Sequence, residues 1–570
     1  MLPPQKHIVS VCASRSLLLA LALYCSSGLG ANEVGFYNPG FFGIDSNNAL
    51  VNLNDLLGAT AFYNAGIYGQ NTTSWVVDAQ LVGTNLFPAE QYTNVAYTYA
   101  ASDALTNPGD HATWCAGLLG GYNPPGYYVN TGIAPGTALG SAALATATNA
   151  DGSFDISSNS LTAYNYAATH GDVLSTSIGD SSDPSGIGTL SGLLDSLAAA
   201  NPNTTMVASA GNSGPTAGSV GGPASGHNAI SVGALDGPTN YSSIASFSSR
   251  GPLPTAWYDG VNTIFYGGSA ATRPGVDIVA PGASIVMPIT IDSNSISYYS
   301  IAGTSFAAPL VAGGAALLDS TAKTYFSTAL TNAATQSVVI KAVLLNSAEK
   351  LSGWNNGQQM LNGVITTTQA LDWAMGAGRM NLNAAFSQYT TQAYVTTSPG
   401  LSYSGFNLSV ANTGWGYGTA LLSGINSYTL ASQLFAGQQL AVTLDWMRSR
   451  SWNATLGDYV DIAQAELDLM IYKTLVGGGE QLVAESISPV STTQELYFQL
   501  ADSGNYEIRV GYSTNLFDLP GGYSSQNYGI AWNVTGVPEP GSMVLFLSGG
   551  TLIFLRLRFL QRQRTASKWV

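Results

Sequence analysis

The sequence predicts an α/β protein with a doubly wound, mostly parallel sheet, followed by a smaller all-β sandwich domain. Between residues 31 and 390, Gly/Ala-rich helical segments alternate with Val/Ile-rich strands, which is the pattern of a parallel sheet covered by helices on both faces. The segment from Leu190 to Ala200, for instance, is predicted to be a helix that precedes a buried strand. From 391 to 536, short apolar runs with partial alternation are separated by Gly, Asn and Asp turns, which indicates a β-sandwich.

The composition narrows the class of protein. Of the 570 residues, 45% are hydrophobic, enough to build a large core, and only 9% are charged. The formal net charge of −15 argues against nucleic acid as a partner, because phosphate binding needs a basic surface. Cys12 and Cys25 lie in a predicted leader, so the mature chain would keep Cys115 alone and form no intramolecular disulfide. We expect Cys115 to be a small buried residue rather than a reactive thiol.

Residues 303–309, Gly-Thr-Ser-Phe-Ala-Ala-Pro, contain the strongest candidate for a catalytic nucleophile. Small residues surround Ser305 and permit close packing. We expect Ser305 at the first turn of a buried helix, where free N–H groups and the helix dipole favour developing negative charge. Pro309 is expected to fall in the same first turn, where its missing N–H has no intrahelical partner.

A serine hydroxyl needs a base at neutral pH, and the chain holds four histidines. His7 lies in the leader, and His170 and His227 are each predicted to lie in a loop just before a strand. His111 opens the stretch His-Ala-Thr-Trp-Cys-Ala-Gly, whose small residues let a helix start pack closely. His111 is therefore the predicted general base.

Asp78 is the predicted carboxylate that orients the imidazole. It follows the apolar residues 75–77, which are typical of a central parallel strand, and active sites of open α/β sheets form at the carboxyl ends of such strands. Asp45 is the main rival. Further along, residues 206–214 predict a buried strand that ends in a glycine-flanked amide, which makes Asn212 the candidate donor to an oxyanion. The alternative for Asn212 is a simple Asn-Ser-Gly turn.

Together these stretches resemble the subtilases, the subtilisin-like serine peptidases, over roughly residues 60–390. The order Asp78, His111, Asn212, Ser305 is the subtilisin order. The resemblance implies that Asp78 orients His111, His111 takes the proton of Ser305, and Asn212 binds the oxyanion. The sequence departs from the family at Ala112, where the family has glycine, and at residues 79–80, Ala-Gln, where the family has Ser/Thr-Gly.

Residues 172–179 resemble the family strand that lines the substrate groove. The resemblance implies that Ser177, Ile178 and Gly179 bind a peptide substrate as an added strand, through backbone hydrogen bonds. This interpretation requires no cofactor and assigns no metal ligand, and it leaves a structural calcium ion open.

The predicted sandwich holds no convincing catalytic set, and its role is left open between binding, stabilising the enzyme and spacing it from a surface. Asp461, Glu466 and Asp468 could contribute to a calcium site, but a solvated strand edge is the expected environment of these acids. Its clearest strands are predicted at residues 440–446, 467–472, 496–500 and 506–512.

The two ends of the chain indicate export. Residues 1–30 have the basic, apolar and small-residue segments of a secretory signal peptide. At the other end, residues 537–541 read Val-Pro-Glu-Pro-Gly, an apolar run covers 543–555, and four arginines follow. This run is short for a full membrane span. Residues 537–570 resemble a PEP-CTERM sorting tail of Gram-negative bacteria, which implies an exosortase-type processing partner, transient membrane anchoring and delivery to the outer surface or extracellular matrix. An ordinary membrane anchor is the alternative.

The sequence thus predicts a secreted serine endopeptidase that hydrolyses protein or peptide substrates through an acyl-enzyme. The departures at Ala112 and at residues 79–80 support one alternative, a catalytically degenerate surface module that binds peptide or matrix. A serine hydrolase of another kind, such as an esterase, is a third reading. Substrate specificity stays open, because pocket walls depend on loops that the pattern does not position.

Overall fold

The computed structural model describes residues 40–83, 94–122, 131–150, 153–267, 272–292, 295–367, 369–396 and 405–536. The predicted signal peptide and the predicted sorting tail lie outside these residues.

The first part of the chain is built on a seven-stranded sheet in which every pairing is parallel, and this confirms the predicted doubly wound α/β class. Its strands, in order across the sheet, are Ile278–Pro281, Ile230–Leu235, Thr205–Ser209, Val173–Thr176, Thr73–Asp78, Ala138–Ala143 and Val95–Ala100. The chain enters at Thr73–Asp78 and adds strands first on one side and later on the other. The strand order therefore reverses beside Asp78, and a crevice forms outside the carboxyl ends of the strands at such a point.

Helices cover the sheet, and the longest, Thr304–Tyr325, is buried along most of its length. It packs against five strands of the sheet and against the helix Asp110–Gly120. The helix predicted at residues 190–200 is confirmed as Thr189–Ala200. The other described helices are Leu53–Leu56, Thr60–Asn64, Thr162–His170, Thr328–Ala334, Ser337–Asn346, Leu382–Thr391 and the 3-10 turn Gly237–Thr239.

The first part of the chain also contains smaller antiparallel sheets. One has four strands, and three are two-stranded pairs. The four strands, in order, are Ser295–Ile301, Ile285–Asp292, Phe42–Ile44 and Leu50–Asn52; the pairs are Leu253–Pro254 with Thr272–Arg273, Ala256–Tyr258 with Thr263–Phe265, and Ala145–Thr148 with Phe154–Ile156.

The second part of the chain is a two-sheet β structure, which confirms the predicted sandwich class. One sheet contains, in order, Gln358–Leu361, Val364–Thr367, Glu480–Ser486, Asp458–Thr474, Tyr506–Asp518, Ile425–Leu430 and Asn407–Val410, with Ser449–Asn453 paired to Asp458–Thr474. The other contains Ala393–Val395, Thr413–Leu421, Ser525–Thr535, Gln439–Trp446 and Thr493–Gln499. Alternating side chains of the two sheets form a separate apolar core.

The two parts are not separated by a clean linker. The hairpin Gln358–Leu361 and Val364–Thr367 lies within the range predicted for the catalytic domain, yet it pairs in parallel with Glu480–Ser486 of the sandwich. The helix Ser337–Asn346 also packs on three sandwich strands. Its backbone at Val338 approaches Gly529 so closely that a side chain at position 529 would clash. The sandwich therefore packs directly on the α/β layer.

A buried ionic cluster, formed by Arg448, Arg450, Asp461, Asp195 and His227, lies in this contact; we call it the joint. The Arg448 Nε and Arg450 Nε atoms lie 2.8 and 2.5 Å from Asp461 Oδ1, and Arg450 Nη1 lies 3.0 Å from Asp195 Oδ2. Arg448 Nη1 lies 2.6 Å from His227 Nε2. The expectation of a solvated strand edge is wrong for Asp461, because both arginines neutralise its carboxylate inside the protein.

Within the described residues, no single helix is both long and apolar enough to cross a membrane, although the bent pair Thr328–Ala334 and Ser337–Asn346 meets those two criteria together.

Candidate active site

Asp78 and His111 meet because the end of one strand is tied to the start of one helix. Asp78 is the last residue of its strand, and His111 is the second residue of its helix. The Gly109 N–H, just before that helix, donates to the Leu81 carbonyl at 2.9 Å. This bond holds the helix start beside the chain that leaves the strand, and Asp78 Oδ2 lies 2.8 Å from His111 Nδ1.

The carboxylate is buried while the imidazole reaches solvent. The Asp78 side chain is 1% exposed and that of His111 is 34% exposed. Burial alone would lower the pKa of His111, but the charge of Asp78 and the hydrogen bond to it outweigh burial and raise that pKa above its ordinary value. Because an ionised carboxylate only accepts, Nδ1 carries the proton and Nε2 is left as the basic nitrogen.

The rival residues lie elsewhere. Asp45 Oδ1 accepts from the N–H groups of Asn47 and Ala49 at 2.8 and 2.7 Å, so this carboxylate organises a turn between two short strands. The loop prediction is wrong for His170, which ends the helix Thr162–His170. Its ring stacks on Tyr166 with the centroids 4.0 Å apart, and this contact extends the helix to the histidine.

Ser305 lies at the second position of the helix Thr304–Tyr325, which confirms the predicted helix start. The ring of the next residue, Phe306, has its centroid 5.6 Å from that of His111, so the serine and the histidine share one site. The Ser305 hydroxyl donates to the Ser177 carbonyl at 3.5 Å. Among the described residues, no hydrogen bond joins this hydroxyl to His111.

The prediction for Pro309 is wrong. Pro309 is the sixth residue of the helix, beyond the first turn, so its missing N–H would have bonded to the Ser305 carbonyl four residues earlier. That carbonyl instead accepts from Ser177 Oγ at 2.9 Å and from Cys115 Sγ at 3.3 Å. Neither contact was expected from the sequence; the proline four residues after the serine was the available signal.

The Asn212 amide is oriented by Thr304, the residue before Ser305. Its Oδ1 accepts from the backbone N–H of Thr304 at 2.9 Å and from the Thr304 hydroxyl at 3.1 Å, and the Gly211 N–H donates to that hydroxyl at 3.0 Å. Because a backbone N–H only donates, Oδ1 is the bound atom and the Nδ2 donor is left beside Gly303. The role of Thr304 was missed from the sequence, where its position next to Ser305 was the one signal.

The predicted substrate segment follows the strand Val173–Thr176 directly. Ser177 and Ile178 are buried, and Gly179 is exposed. The Ser177 backbone and side chain both contact Ser305, so the structure brings this segment to Ser305. The next residue, Asp180, pairs with Gly222 through its N–H, which donates to the Gly222 carbonyl at 2.7 Å.

The residues that depart from the family sequence fit into the local packing around Asp78 and His111. Ala112 is buried inside the His111 helix, and the helix is continuous there. The Ala79 N–H donates to Asp78 Oδ1 at 2.7 Å, which fixes the second oxygen of that carboxylate. The Gln80 side chain packs against Gly109, where any side chain would collide with it. These residues thus leave the Asp78–His111 contact intact.

The donor atoms of Asp78, His111 and Cys115 all lie within 4.8 Å of one another, a spacing that could hold a metal ion. Burial raises the pKa of the Cys115 thiol well above its ordinary value. The thiol therefore stays protonated and donates to Ser305, whereas a metal would need the thiolate. Burial of Cys115 also agrees with its predicted packing role.

Comparison with known proteins identifies the family. The sequence profile of the subtilase family matches residues 67–415, a range that contains Asp78, His111, Asn212 and Ser305. A subtilisin from Bacillus sp. (strain TA39) is 40% identical over 118 residues, which is 20% of this chain and 25% of that protein. The subtilisin-like protease SBT6.1 of Arabidopsis thaliana is 33% identical over 219 residues, or 38% of this chain and 18% of that protein.

The matched stretch thus spans a quarter or less of the length of these relatives. Among solved structures, Sphericase shares 22% sequence identity with a TM-score of 0.37, covering 55% of this chain and 96% of that one. The family profile, which spans more than half of the chain, carries the assignment. The chain belongs to the subtilase family.

Proposed function

We propose that the protein is a secreted serine endopeptidase that hydrolyses peptide bonds through Asp78, His111 and Ser305. Family membership supports a serine protease. The 2.8 Å contact between Asp78 Oδ2 and His111 Nδ1, beside a serine at the start of a buried helix, is the observation that carries the proposal.

In the proposed reaction, the Ser305 hydroxyl leaves the Ser177 carbonyl and gives its proton to His111 Nε2 as Oγ attacks the scissile carbonyl carbon. Asp78 keeps the proton on Nδ1 and stabilises the imidazolium. Asn212 Nδ2 and the Ser305 N–H donate to the oxyanion. His111 then protonates the leaving amine. Water, deprotonated by the same imidazole, attacks the acyl carbon, and His111 returns that proton to Ser305 Oγ as the acyl group leaves.

The substrate would be a protein or peptide in extended conformation. Segment 177–179 would pair with its backbone, which favours binding with little dependence on side chains. We further propose export by the signal peptide 1–30, exosortase-type processing of the tail 537–570, and delivery to the outer surface or matrix of a Gram-negative bacterium. The chemistry requires no cofactor.

A fluorophosphonate probe and a generic protein substrate test this proposal. We expect the folded wild-type enzyme to be labelled on Ser305 and to cleave internal peptide bonds, and Ser305→Ala to do neither. Labelling that is unchanged in Ser305→Ala would remove this residue as the nucleophile. A folded wild-type chain that is neither labelled nor active would instead favour the degenerate binding module.

A further inference from the structure

The carbonyl of Ser305 lacks the partner that a regular helix would supply. In an α-helix this oxygen accepts from the N–H four residues later, and that residue is Pro309. An unsatisfied buried carbonyl is costly, so the surrounding structure has to provide donors.

Two side-chain donors replace the missing N–H. Ser177 Oγ lies 2.9 Å and Cys115 Sγ 3.3 Å from the Ser305 oxygen, and both residues are buried. Each donor comes from a different part of the site. Ser177 opens the substrate segment, and Cys115 lies one turn after His111 on the same helix face.

We propose that Ser177 and Cys115 are positioning residues for Ser305, an assignment that rests on the proposed function. Their two bonds fix the peptide plane after Ser305 and couple the nucleophile to both the substrate segment and the base helix. The Ser305 N–H is also a proposed oxyanion donor, so a tilt of this residue would misplace the attacking oxygen and that donor together. Misplacement of about 1 Å can cost on the order of 100-fold in rate.

Ser177→Ala removes the shorter bond while keeping the backbone that would bind substrate. We expect kcat to fall about tenfold with KM unchanged, because a bond that orients the nucleophile acts on the chemical step. Ser337→Ala is the matched control. Ser337 opens the helix Ser337–Asn346, is as buried as Ser177, and its hydroxyl has no hydrogen-bond partner among the described residues, so we expect an unchanged kcat.

Pro309→Ala restores the N–H that the helix lacks, and it isolates the role of the Ser305 carbonyl. In this background the Ser305 oxygen regains a helical donor, so we expect Ser177→Ala to cost less than about twofold in kcat. The same tenfold cost in both backgrounds would overturn the proposal, since Ser177 would then act by another route.

The thiol is tested by two substitutions. Cys115→Ser keeps a donor and is expected to retain kcat within about twofold, whereas Cys115→Ala is expected to lose about threefold. Equal kcat for these two variants would remove Cys115 from the proposal. The thermal unfolding midpoint of each variant, measured alongside, separates loss of fold from loss of alignment.

The outcomes distinguish this inference from the proposed function. If the wild type is labelled on Ser305 but Ser177→Ala changes KM alone, the positioning role fails and the peptidase assignment stands. If the folded wild type is neither labelled nor active, both fail. If Pro309→Ala does not fold, the kcat and KM of Ser177→Ala, compared with those of Ser337→Ala, still decide.

Discussion

Two regions of the molecule each place a histidine beside a charged side chain: His111 lies beside an anion, and His227 lies beside a cation. At the active-site edge, His111 faces the Asp78 carboxylate and keeps a third of its side chain in solvent. In the joint, His227 is buried and its Nε2 faces Arg448 Nη1 at 2.6 Å. The charge beside each ring therefore favours a different protonation state.

The consequences for charge are opposite. The pKa of His111 is raised, because the charge of Asp78 and the hydrogen bond to it stabilise the imidazolium and outweigh burial. The pKa of His227 is lowered well below its ordinary value, first by burial and then by the surrounding cations. Those cations are Arg273, Arg448, Arg450 and Lys341. A guanidinium only donates, so the ring in the joint accepts and stays neutral. The charged form is therefore favoured for His111 and disfavoured for His227.

The largest expected effect is that of Asp78→Asn. Without the carboxylate, His111 loses the partner that fixes its tautomer and raises its pKa, so we expect kcat to fall about 10⁴-fold. The acidic limb of the pH–rate profile should also move to lower pH, because burial then acts alone on the imidazole. Asp45→Asn, in the turn near the N-terminal strands, is the control and should leave both quantities unchanged.

Arg448→Met tests the joint. The substitution leaves Asp461 with one arginine and removes the donor to His227, so we expect the free energy of unfolding to fall by about 3–5 kcal/mol. Lys473→Met is the matched control. Its partner Asp502 is 68% exposed, and an exposed pair of this kind contributes about 0–1 kcal/mol. Urea unfolding at neutral pH measures both. Equal losses would show that the joint contributes no more than a surface pair.

His227→Gln keeps an acceptor for Arg448 and removes the titrating ring. In the wild type, the unfolded His227 binds a proton below about pH 6.5 while the folded one does not. The stability that His227 contributes is therefore complete above about pH 6.5. Below that pH it is lost, by at most about 1.4 kcal/mol per pH unit, until the pH reaches the lowered pKa of His227 in the folded protein.

We expect the difference in stability between wild type and His227→Gln to change over that range. Burial raises the pKa of Asp319 and Asp445 to about 7, and both titrate in either protein, so the difference isolates His227. His170→Gln, exposed at the end of its helix, controls for loss of a histidine elsewhere. A pH-independent difference from pH 7 to pH 5 would contradict the neutral, buried assignment.

The smallest expected effect is that of Ala112→Gly, which restores the family residue. Ala112 lies inside a continuous buried helix, so glycine should cost about 0.5–1 kcal/mol of stability and change kcat less than about twofold. Thermal unfolding and steady-state kinetics measure these. A large gain in activity would mean that Ala112 does impair the site.

Sequence patterns predicted the parts of the fold that repeat. Alternating helix and strand segments specified the α/β layer, and turn-separated apolar runs specified the sandwich strands. Spacing alone could not reveal the joint. Asp461 was expected at a solvated strand edge, and its arginine partners meet Asp195 and His227 only when the sandwich packs on the α/β layer. The hairpin at 358–367 was missed for a similar reason, since its partner strand lies more than 100 residues later.

In the candidate site, too, the residues were predicted from sequence and some of their contacts were not. Short local motifs singled out all four residues. Small residues mark close packing around His111, Asn212 and Ser305, and the end of an apolar strand marks Asp78. The contacts of the Ser305 carbonyl could not be predicted, because they depend on how three elements approach each other. Pro309 was assigned to the first turn since helix boundaries are uncertain by a residue or two in sequence, and that shift hid its effect on Ser305.

The most direct test of the account is the rate of fluorophosphonate labelling as a function of pH, with the adduct located by peptide mapping. The account predicts an adduct on Ser305 and a rate that falls as the pH drops through a value above about 6.5, the ordinary pKa of histidine. An adduct on another residue, or a rate that stays flat from pH 5 to pH 8, would contradict it.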